Sequence, residues 1–228
     1  MNSIKYRHEH KLYINLGDYY VIRTRLKHLM KLDRNSKGDE GYFIRSIYFD
    51  DINDKALFEK IAGVNHREKF RIRFYNNDVS YIKLEKKIKN NGLTAKFSTL
   101  VSVDECNKIL NEDIDWIRYK DDDLLKELYI KMKSELFRPK TIVDYNREAY
   151  TYSTGNVRVT FDKSIRTGIF SKKIFDKDIP TVKALDSNII ILEVKYDEFI
   201  PNIISDILQI GERRITSVSK YALSRAFG

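Results

Sequence analysis

Apolar and polar residues alternate in short stretches along the whole chain. The clearest is the segment KFRIRFY at residues 69–75, in which phenylalanine and isoleucine alternate with lysine, arginine and tyrosine. Because successive side chains of a β-strand point to opposite faces, this segment predicts a strand with one apolar and one charged face. Arg71 and Arg73 then lie side by side on the charged face. Like charges so placed repel each other unless an anion with several oxygens binds between them.

The same alternation predicts seven further strands, most of which also carry a charged face opposite an apolar one. The turn sequences Asn-Asn-Asp at 76–78 and Asn-Asn-Gly at 90–92 indicate that the strands beside them pair as antiparallel hairpins. The predicted strands cover residues 4–14, 42–50, 69–75, 81–89, 93–101, 142–150, 157–165 and 189–196.

Apolar residues at helical spacing predict helices between and after these strands. Asp18 is the predicted N-cap of the first helix, and glycines at 38 and 41 mark the loop that follows it. Residues 167–187 show no clear period and are predicted to form a long mobile loop of the kind that often acts as a lid. The other helices are predicted over residues 51–62, 104–110, 122–137 and 201–210, and from Ser217 onward.

Strands in hairpins with helices around them predict an α+β fold, with an eight-stranded antiparallel sheet that closes or nearly closes into a barrel. No linker interrupts the chain, so residues 1–228 are predicted to form a single domain. In one arrangement the apolar strand faces turn outward beneath the helices and the charged faces turn inward around a tunnel. In the alternative, an open sheet keeps its apolar side under the helices and exposes its charged side to solvent. Composition does not distinguish the two.

Composition narrows the class of protein and of partner. The chain has 228 residues and is 42% hydrophobic, which is enough for a sizeable core. Its net charge of +9 favours an anionic partner: a phosphate compound, a nucleic acid or an acidic membrane surface. The single cysteine, Cys106, excludes an internal disulfide and a multi-cysteine metal site. With no apolar run near the ~20 residues that span a bilayer, we expect a cytoplasmic protein without a membrane segment.

Short charged motifs recur along the chain. They are, in chain order, Glu9-x-Lys11, Arg71-x-Arg73, Lys83-x-Glu85-x-Lys87, Lys96, Tyr145-Asn146-Arg147, Arg158 to Asp162, Leu192-Glu193-Val194-Lys195 and Ser219-Lys220-Tyr221. Taken together, these motifs resemble those of the catalytic domain of the vacuolar transporter chaperone (VTC) family, which belongs to the triphosphate tunnel metalloenzymes. The resemblance extends from about Tyr6 to Tyr221. It implies an eight-stranded antiparallel tunnel that synthesises polyphosphate from ATP with a divalent metal.

The resemblance also implies roles for these residues. The wider superfamily opens with Glu-x-Glu-x-Lys, whereas this chain has Arg7-x-Glu9-x-Lys11, so a base replaces one acidic residue and a second metal site is in doubt. Glu9, Glu85 and Asp162 are more simply explained as ion-pair partners of the surrounding bases. The implied catalytic residues are Lys11, Arg71, Arg73 and Lys220, the implied phosphate-binding residues are Lys83, Lys87, Lys96, Arg147, Arg158 and Lys195, and Glu193 is the implied ligand of Mn²⁺ or Mg²⁺.

Two other functions are open at this stage. The same tunnel with water as the attacking group would hydrolyse inorganic or nucleoside triphosphates, although the excess of bases over acids argues mildly against this. A non-catalytic module that binds polyphosphate or nucleic acid is the other alternative, and nucleic acid is the less favoured ligand of the two. ATP and inorganic polyphosphate are therefore the expected partners.

Overall fold

The computed structural model describes residues 5–36, 41–208 and 218–227, which form an α+β fold with helices packed against one large antiparallel sheet. The predicted loop at Gly38 and the predicted helix boundaries at 210 and Ser217 lie outside these residues. The strands are β1 (His8–Asn15), β2 (Lys31–Leu32), β3 (Tyr42–Asp50), β4 (His66–Tyr75), β5 (Asp78–Asn90), β6 (Leu93–Val101), β7 (Arg138–Tyr152), β8 (Val157–Ile169), β9 (Val182–Lys183) and β10 (Ile189–Tyr196). The helices are α1 (Leu16–Leu29), α2 (Lys55–Ile61), α3 (Val103–Leu110), α4 (Asp123–Ser134), α5 (Asn202–Leu208) and α6 (Lys220–Ser224).

Eight strands follow one another in the order β1-β10-β8-β7-β3-β4-β5-β6, with β2 and β9 paired to β7 and β8. The sheet curls far enough for its two end strands to meet at one point. There Arg7 and Thr94 exchange both backbone hydrogen bonds, each 2.9 Å long. Within the described residues no longer ladder joins β1 to β6, so these two hydrogen bonds do not amount to a closed barrel, and the predicted barrel stays a prediction.

The apolar faces of the strands lie beneath the helices, as both of the arrangements considered above require. One buried cluster packs α3 and α4 against β4 and β5, and a second packs α1 and α5 against β1, β8 and β10. Each fully buried Phe, Ile or Leu side chain contributes about 1.5–3 kcal/mol to this packing. The first cluster joins Phe70, Ile72 and Phe74 of β4 to Cys106 and Ile109 of α3 and to Leu125 and Leu128 of α4.

The first helix begins earlier than the sequence indicated. Asn15 is its N-cap, because the Asn15 Oδ1 atom accepts a 2.8 Å hydrogen bond from the backbone N–H of Asp18. Asp18 lies inside the first turn, where a carboxylate suits the positive end of the helix dipole. The prediction of Asp18 as N-cap was wrong because Asn and Asp cap helices about equally well and spacing alone does not choose between them.

The stretch 167–187 is more ordered than its lack of period suggested. β8 continues to Ile169, and residues 182–183 pair with it as β9. Between these strands Ile174 is fully buried and Ile179 packs in the same cluster. The prediction of one continuous loop was therefore wrong at both ends, while its role as a lid stays a prediction.

No helix in the described ranges is both long and apolar enough to cross a membrane.

Candidate active site

The charged faces of the strands surround a cavity of about 1500 Å³. Among the residues that the structure describes, seventeen lysine and arginine side chains line it, together with four carboxylates. Cations packed this closely repel one another in the empty cavity, and an anion that entered would relieve that repulsion. The wall therefore suits a ligand with many negative charges.

The structure places all eleven residues that the sequence singled out on the wall of this one cavity. The period of two along each strand accounts for ten of them, since it fixes which side chains share a face, whereas Lys220 belongs to helix α6. Their roles in binding or chemistry stay predictions. The eleven are Lys11, Arg71, Arg73, Lys83, Lys87, Lys96, Arg147, Arg158, Glu193, Lys195 and Lys220.

Arg71 and Arg73 are held in place by Glu85 on the neighbouring strand. The Arg71 Nε and Nη2 atoms both donate to Glu85 Oε2, at 2.8 and 2.6 Å, and Arg73 Nη1 lies 3.7 Å from the same oxygen. Glu85 is 1% exposed, and the two guanidinium groups hold its pKa well below the usual range against the opposing effect of burial. Arg71 also donates to the Tyr48 hydroxyl at 3.0 Å. One buried carboxylate thus aligns two arginines side by side, as the KFRIRFY segment predicted.

Glu9 is at the centre of a second group, in which it is shared by three lysines. Lys87 Nζ donates to both Glu9 carboxylate oxygens at 2.7 and 2.6 Å, Lys11 Nζ lies 2.9 Å from Oε1, and Lys195 Nζ lies 3.6 Å from Oε2. Lys11 and Lys195 also reach Glu193, at 3.2 and 2.7 Å. These lysines hold the pKa of both glutamates well below its usual range, although burial alone would raise it. The group has more cations than carboxylates, so it can accept further negative charge.

Asp162 anchors a third group. It accepts hydrogen bonds from Arg147 Nε and Nη2 at 2.6 and 2.7 Å and forms an ion pair with Lys220. Asp162 is completely buried, and these two cations outweigh the effect of burial and lower its pKa to about 2. The carboxylate is therefore ionised at neutral pH and orients Arg147 of β7 and Lys220 of α6 toward the same cavity.

Three predicted residues remain. Lys96 Nζ donates to Glu85 Oε1 at 3.3 Å, and Arg158 and Lys83 also line the wall. Arg158 Nη2 donates to the Tyr42 hydroxyl at 3.0 Å and lies 3.0 Å from Asp33 Oδ2. Lys83 Nζ lies 4.6 Å from the centre of the Tyr81 ring. Both cations are therefore beside tyrosine rings, unlike the lysines around Glu9.

The residues present suit a divalent cation only if a bound phosphate compound supplies some of the oxygen atoms that coordinate it. Within the described ranges, no group of three or more His, Cys, Asp or Glu side chains converges as a metal site. Glu193 and Glu9 nevertheless lie close together, since both contact Lys11. The buried Glu193 Oε1 atom makes no hydrogen bond with any described residue, although it is ion-paired to Lys195. Mg²⁺ is commonly held by one or two carboxylates plus phosphate oxygens, which this pair of glutamates matches.

Sequence reasoning missed Lys69, which lies on the same strand face as Arg71. Its Nζ atom donates to Ser219 Oγ at 2.9 Å and lies 5.3 Å from the centre of the Tyr221 ring. Burial and the neighbouring cations, Lys11 first among them, lower its pKa well below the usual range. The period of two could have identified it, since Lys69 continues the row of Arg71 and Arg73.

Anion binding is expected to weaken as the pH rises through neutrality, because of Lys87. Burial and the neighbouring Lys11 and Lys195 lower its pKa to about 7, despite the opposing attraction of Glu9. Below that pH the side chain is charged and attracts phosphate, and above it the charge is lost. We expect the Kd for a long polyphosphate, whose interior charge is constant, to rise about 3- to 10-fold between about pH 6 and pH 8.

Fluorescence anisotropy with labelled polyphosphate at fixed salt measures this change. Lys87→Arg is the matched control, because a guanidinium keeps its charge over the whole range. We expect its Kd to change much less with pH. An equally steep pH dependence in Lys87→Arg would show that another group is responsible.

A sequence model of the VTC domain matches residues 6–227. Among solved structures, a candidate adenylate cyclase from Bacillus halodurans superposes with a TM-score of 0.50 at 12% identity, covering 84% of this chain and 80% of that one. Two Pyrococcus horikoshii OT3 proteins give TM-scores of 0.47 at 12% and 16% identity, covering 97% and 95% of this chain and 100% and 98% of their own. No curated protein matches the chain. At such identities the likeness to solved structures concerns the fold alone.

Proposed function

The chain belongs to the VTC domain family, and from this premise we propose that it is a polyphosphate polymerase that uses ATP. The observation that carries the proposal is a basic cavity that extends along most of strand β4. Arg67 and Tyr75 both line it and lie at opposite ends of β4, eight residues apart, which corresponds to about 26 Å. A nucleoside triphosphate and the end of a polyphosphate chain fit one behind the other in such a space.

Phosphoryl transfer needs positioning and charge neutralisation more than covalent chemistry from the protein. In this proposal Arg71 and Arg73 bind the triphosphate through their guanidinium groups, with Lys11 and Lys220 on the neighbouring walls. A terminal oxygen of the growing chain attacks the γ-phosphorus in line. The bond from the γ-phosphorus to the bridging oxygen breaks, and ADP leaves with that oxygen's electron pair. The chain is then longer by one phosphate.

The other basic residues would hold the chain while it grows. The predicted phosphate-binding residues lie on several strands around the cavity, so a linear anion contacts them in succession. We also propose that the sheet forms a closed tunnel, with the Arg7–Thr94 hydrogen bonds as the seam between its end strands. The residues with this role are Lys83, Lys87, Lys96, Arg147, Arg158 and Lys195.

Glu193, together with Glu9, would hold Mn²⁺ or Mg²⁺. When bound, the ion would neutralise charge on the phosphate oxygens. The two carboxylates are already ionised, since their pKa values lie well below the usual range. Lys11, which contacts both, would then be displaced toward the phosphates.

Incubation with ATP and Mn²⁺ or Mg²⁺ tests the proposal. We expect long, acid-labile phosphate chains and one ADP released for each phosphate added. Free phosphate without chains would instead identify a triphosphatase, and tight polyphosphate binding without any turnover would identify a binding module. Either outcome would overturn the proposed function.

The variant Glu193→Ala distinguishes a role in chemistry from a role in ligand binding. We expect its turnover to fall at least about 100-fold, as for the loss of a group that stabilises transition-state charge. Its affinity for inorganic triphosphate in the absence of metal should be retained. Glu135→Ala, which changes an exposed carboxylate at the end of α4, is the matched control and should leave turnover unchanged.

A further inference from the structure

Tyr48 of β3 places a hydroxyl group on the cavity wall beside Arg71. The two residues are direct partners in the register of β3 and β4, so their side chains lie on the same face of the sheet. The Tyr48 ring stacks on the ring of Tyr221, with the ring centres 5.3 Å apart and the planes 26° apart. This packing leaves the side chain only 6% exposed and fixes the position of its hydroxyl group.

The hydroxyl hydrogen of Tyr48 has no acceptor among the described residues. The hydroxyl oxygen accepts a 3.0 Å hydrogen bond from Arg71 Nη1. A guanidinium group has donors and no acceptor, so Arg71 cannot receive the hydroxyl hydrogen in return. Within the described ranges the Tyr48 hydroxyl makes no second hydrogen bond. Its hydrogen is therefore available to a ligand in the cavity.

The carboxylate that bonds to Arg71 is already engaged with other donors. Glu85 Oε2 accepts both hydrogen bonds from Arg71, and Glu85 Oε1 accepts one from Lys96 Nζ at 3.3 Å. Leaving a buried hydroxyl without an acceptor costs free energy, which an oxygen atom of a bound anion would recover. The site thus offers one neutral donor among its cations.

Three cations surround this hydroxyl group. Burial raises the pKa of Tyr48, but the charges of Arg71, Arg73 and Lys220 outweigh burial and lower that pKa below its ordinary value. Cations near the oxygen polarise the O–H bond and make it a stronger donor. A phosphate group in contact with these cations is also within reach of the hydroxyl, and its oxygens are strong acceptors.

Resting on the proposed function, we propose that Tyr48 is a further phosphate-binding residue whose hydroxyl donates a hydrogen bond to a non-bridging oxygen of the phosphate held by Arg71 and Arg73. The surrounding cations attract any polyanion. The hydroxyl instead requires an acceptor atom at one position, so it selects the orientation of the bound phosphate group. In-line phosphoryl transfer depends on such orientation.

Equilibrium binding of inorganic triphosphate without metal tests this inference. Tyr48→Phe removes the hydroxyl and keeps the ring that stacks on Tyr221. We expect its Kd to rise about 10-fold or more, the usual effect of losing a hydrogen bond to a charged group. Because no charge is removed, the Kd should depend on salt concentration as steeply as in the wild type. Arg71→Ala removes a cation and should reduce the salt dependence as well as the affinity.

Tyr150→Phe is the matched control, because Tyr150 is a buried tyrosine whose hydroxyl donates to Glu148 and it does not line the cavity. It should leave the Kd of triphosphate unchanged. An unchanged Kd in Tyr48→Phe would overturn the inference. So would a reduction in salt dependence equal to that of Arg71→Ala, since Tyr48 would then act only by positioning Arg71.

The assay also keeps this inference distinct from the proposed function, because it measures binding without turnover. A protein that makes no polyphosphate could still lose affinity for triphosphate in Tyr48→Phe with its salt dependence intact. That result would overturn the polymerase proposal and support Tyr48 as a phosphate-binding residue.

Discussion

Replacing Arg71 with alanine is expected to lower ATP turnover about 10²- to 10³-fold, the usual effect of losing one preorganised group that stabilises transition-state charge. Arg71 is fixed by two hydrogen bonds to Glu85 and one to Tyr48, so its guanidinium needs no reorientation to meet a phosphate. Arg73 lies next to it and retains part of the binding. The loss should therefore appear mainly in kcat, measured as the rate of polyphosphate formation per folded protein molecule.

Two variants control for charge and for folding. Arg71→Lys keeps the charge but not the two-pronged geometry, so we expect an intermediate turnover. Arg45→Ala removes a buried arginine that is bonded to Asp144 through both Nε and Nη2 and does not line the cavity. It should lower the thermal stability without changing kcat. If Arg71→Ala kept wild-type kcat, or Arg45→Ala lost as much, Arg71 would have no special part in the chemistry.

Much of the architecture could be predicted because the alternation of apolar and polar residues within each strand indicates its two faces. In the 69–75 segment the period of two separates the apolar face from the charged face, and both environments are found in the structure: Phe70 lies under helices and Arg71 in the cavity. The period of two determines which face of the sheet a side chain lies on, whichever neighbouring strand its own strand pairs with. For this reason the placement of the strand-borne basic residues on one wall did not depend on knowing the strand order, whereas that of Lys220 depended on the position of α6.

Features set by tertiary contacts could not be predicted in the same way. Lys86 interrupts the apolar face of β5 and forms ion pairs with Glu68 on β4 and Glu127 on α4. These partners are 18 and 41 residues away in the chain, so no local pattern indicates them. Ile174 lies in the part of residues 167–187 that is a loop, as the lack of a period predicts, but no local pattern indicates that its side chain is completely buried.

The ion pairs within the site could not be predicted from the sequence either. Glu85 shares a strand face with Lys83 and Lys87, but it bonds to Arg71 on the neighbouring strand. Asp162 bonds to Arg147 on β7 and to Lys220 on α6. Which base meets which carboxylate depends on strand register and on the position of the C-terminal helix, and neither follows from periodicity. The expectation that Glu85 and Asp162 are ion-pair partners agrees with these contacts.

Replacing Glu85 with glutamine is expected to lower the free energy of unfolding by about 3 kcal/mol, the cost of leaving buried charges without their partner. The change keeps the size of the side chain but leaves Arg71 and Arg73 facing each other without a counter-charge. Because the folded-state pKa of Glu85 is depressed, its contribution is fully present above the ordinary value of 4.5 and is lost as the pH falls through the folded-state pKa. The difference between wild type and variant should shrink accordingly in acid.

Inorganic triphosphate should restore much of the lost stability, because its oxygens can take the place of the missing carboxylate beside the two arginines. Urea unfolding with and without triphosphate measures this, and we expect the ligand to stabilise Glu85→Gln more than the wild type. Glu148→Gln is the matched control: Glu148 is buried and accepts hydrogen bonds from Tyr19 and Arg23, but it lies outside the cavity. That variant should also be destabilised and should gain no more from triphosphate than the wild type gains. Equal gains in both variants would mean that the phosphates bind elsewhere than between Arg71 and Arg73.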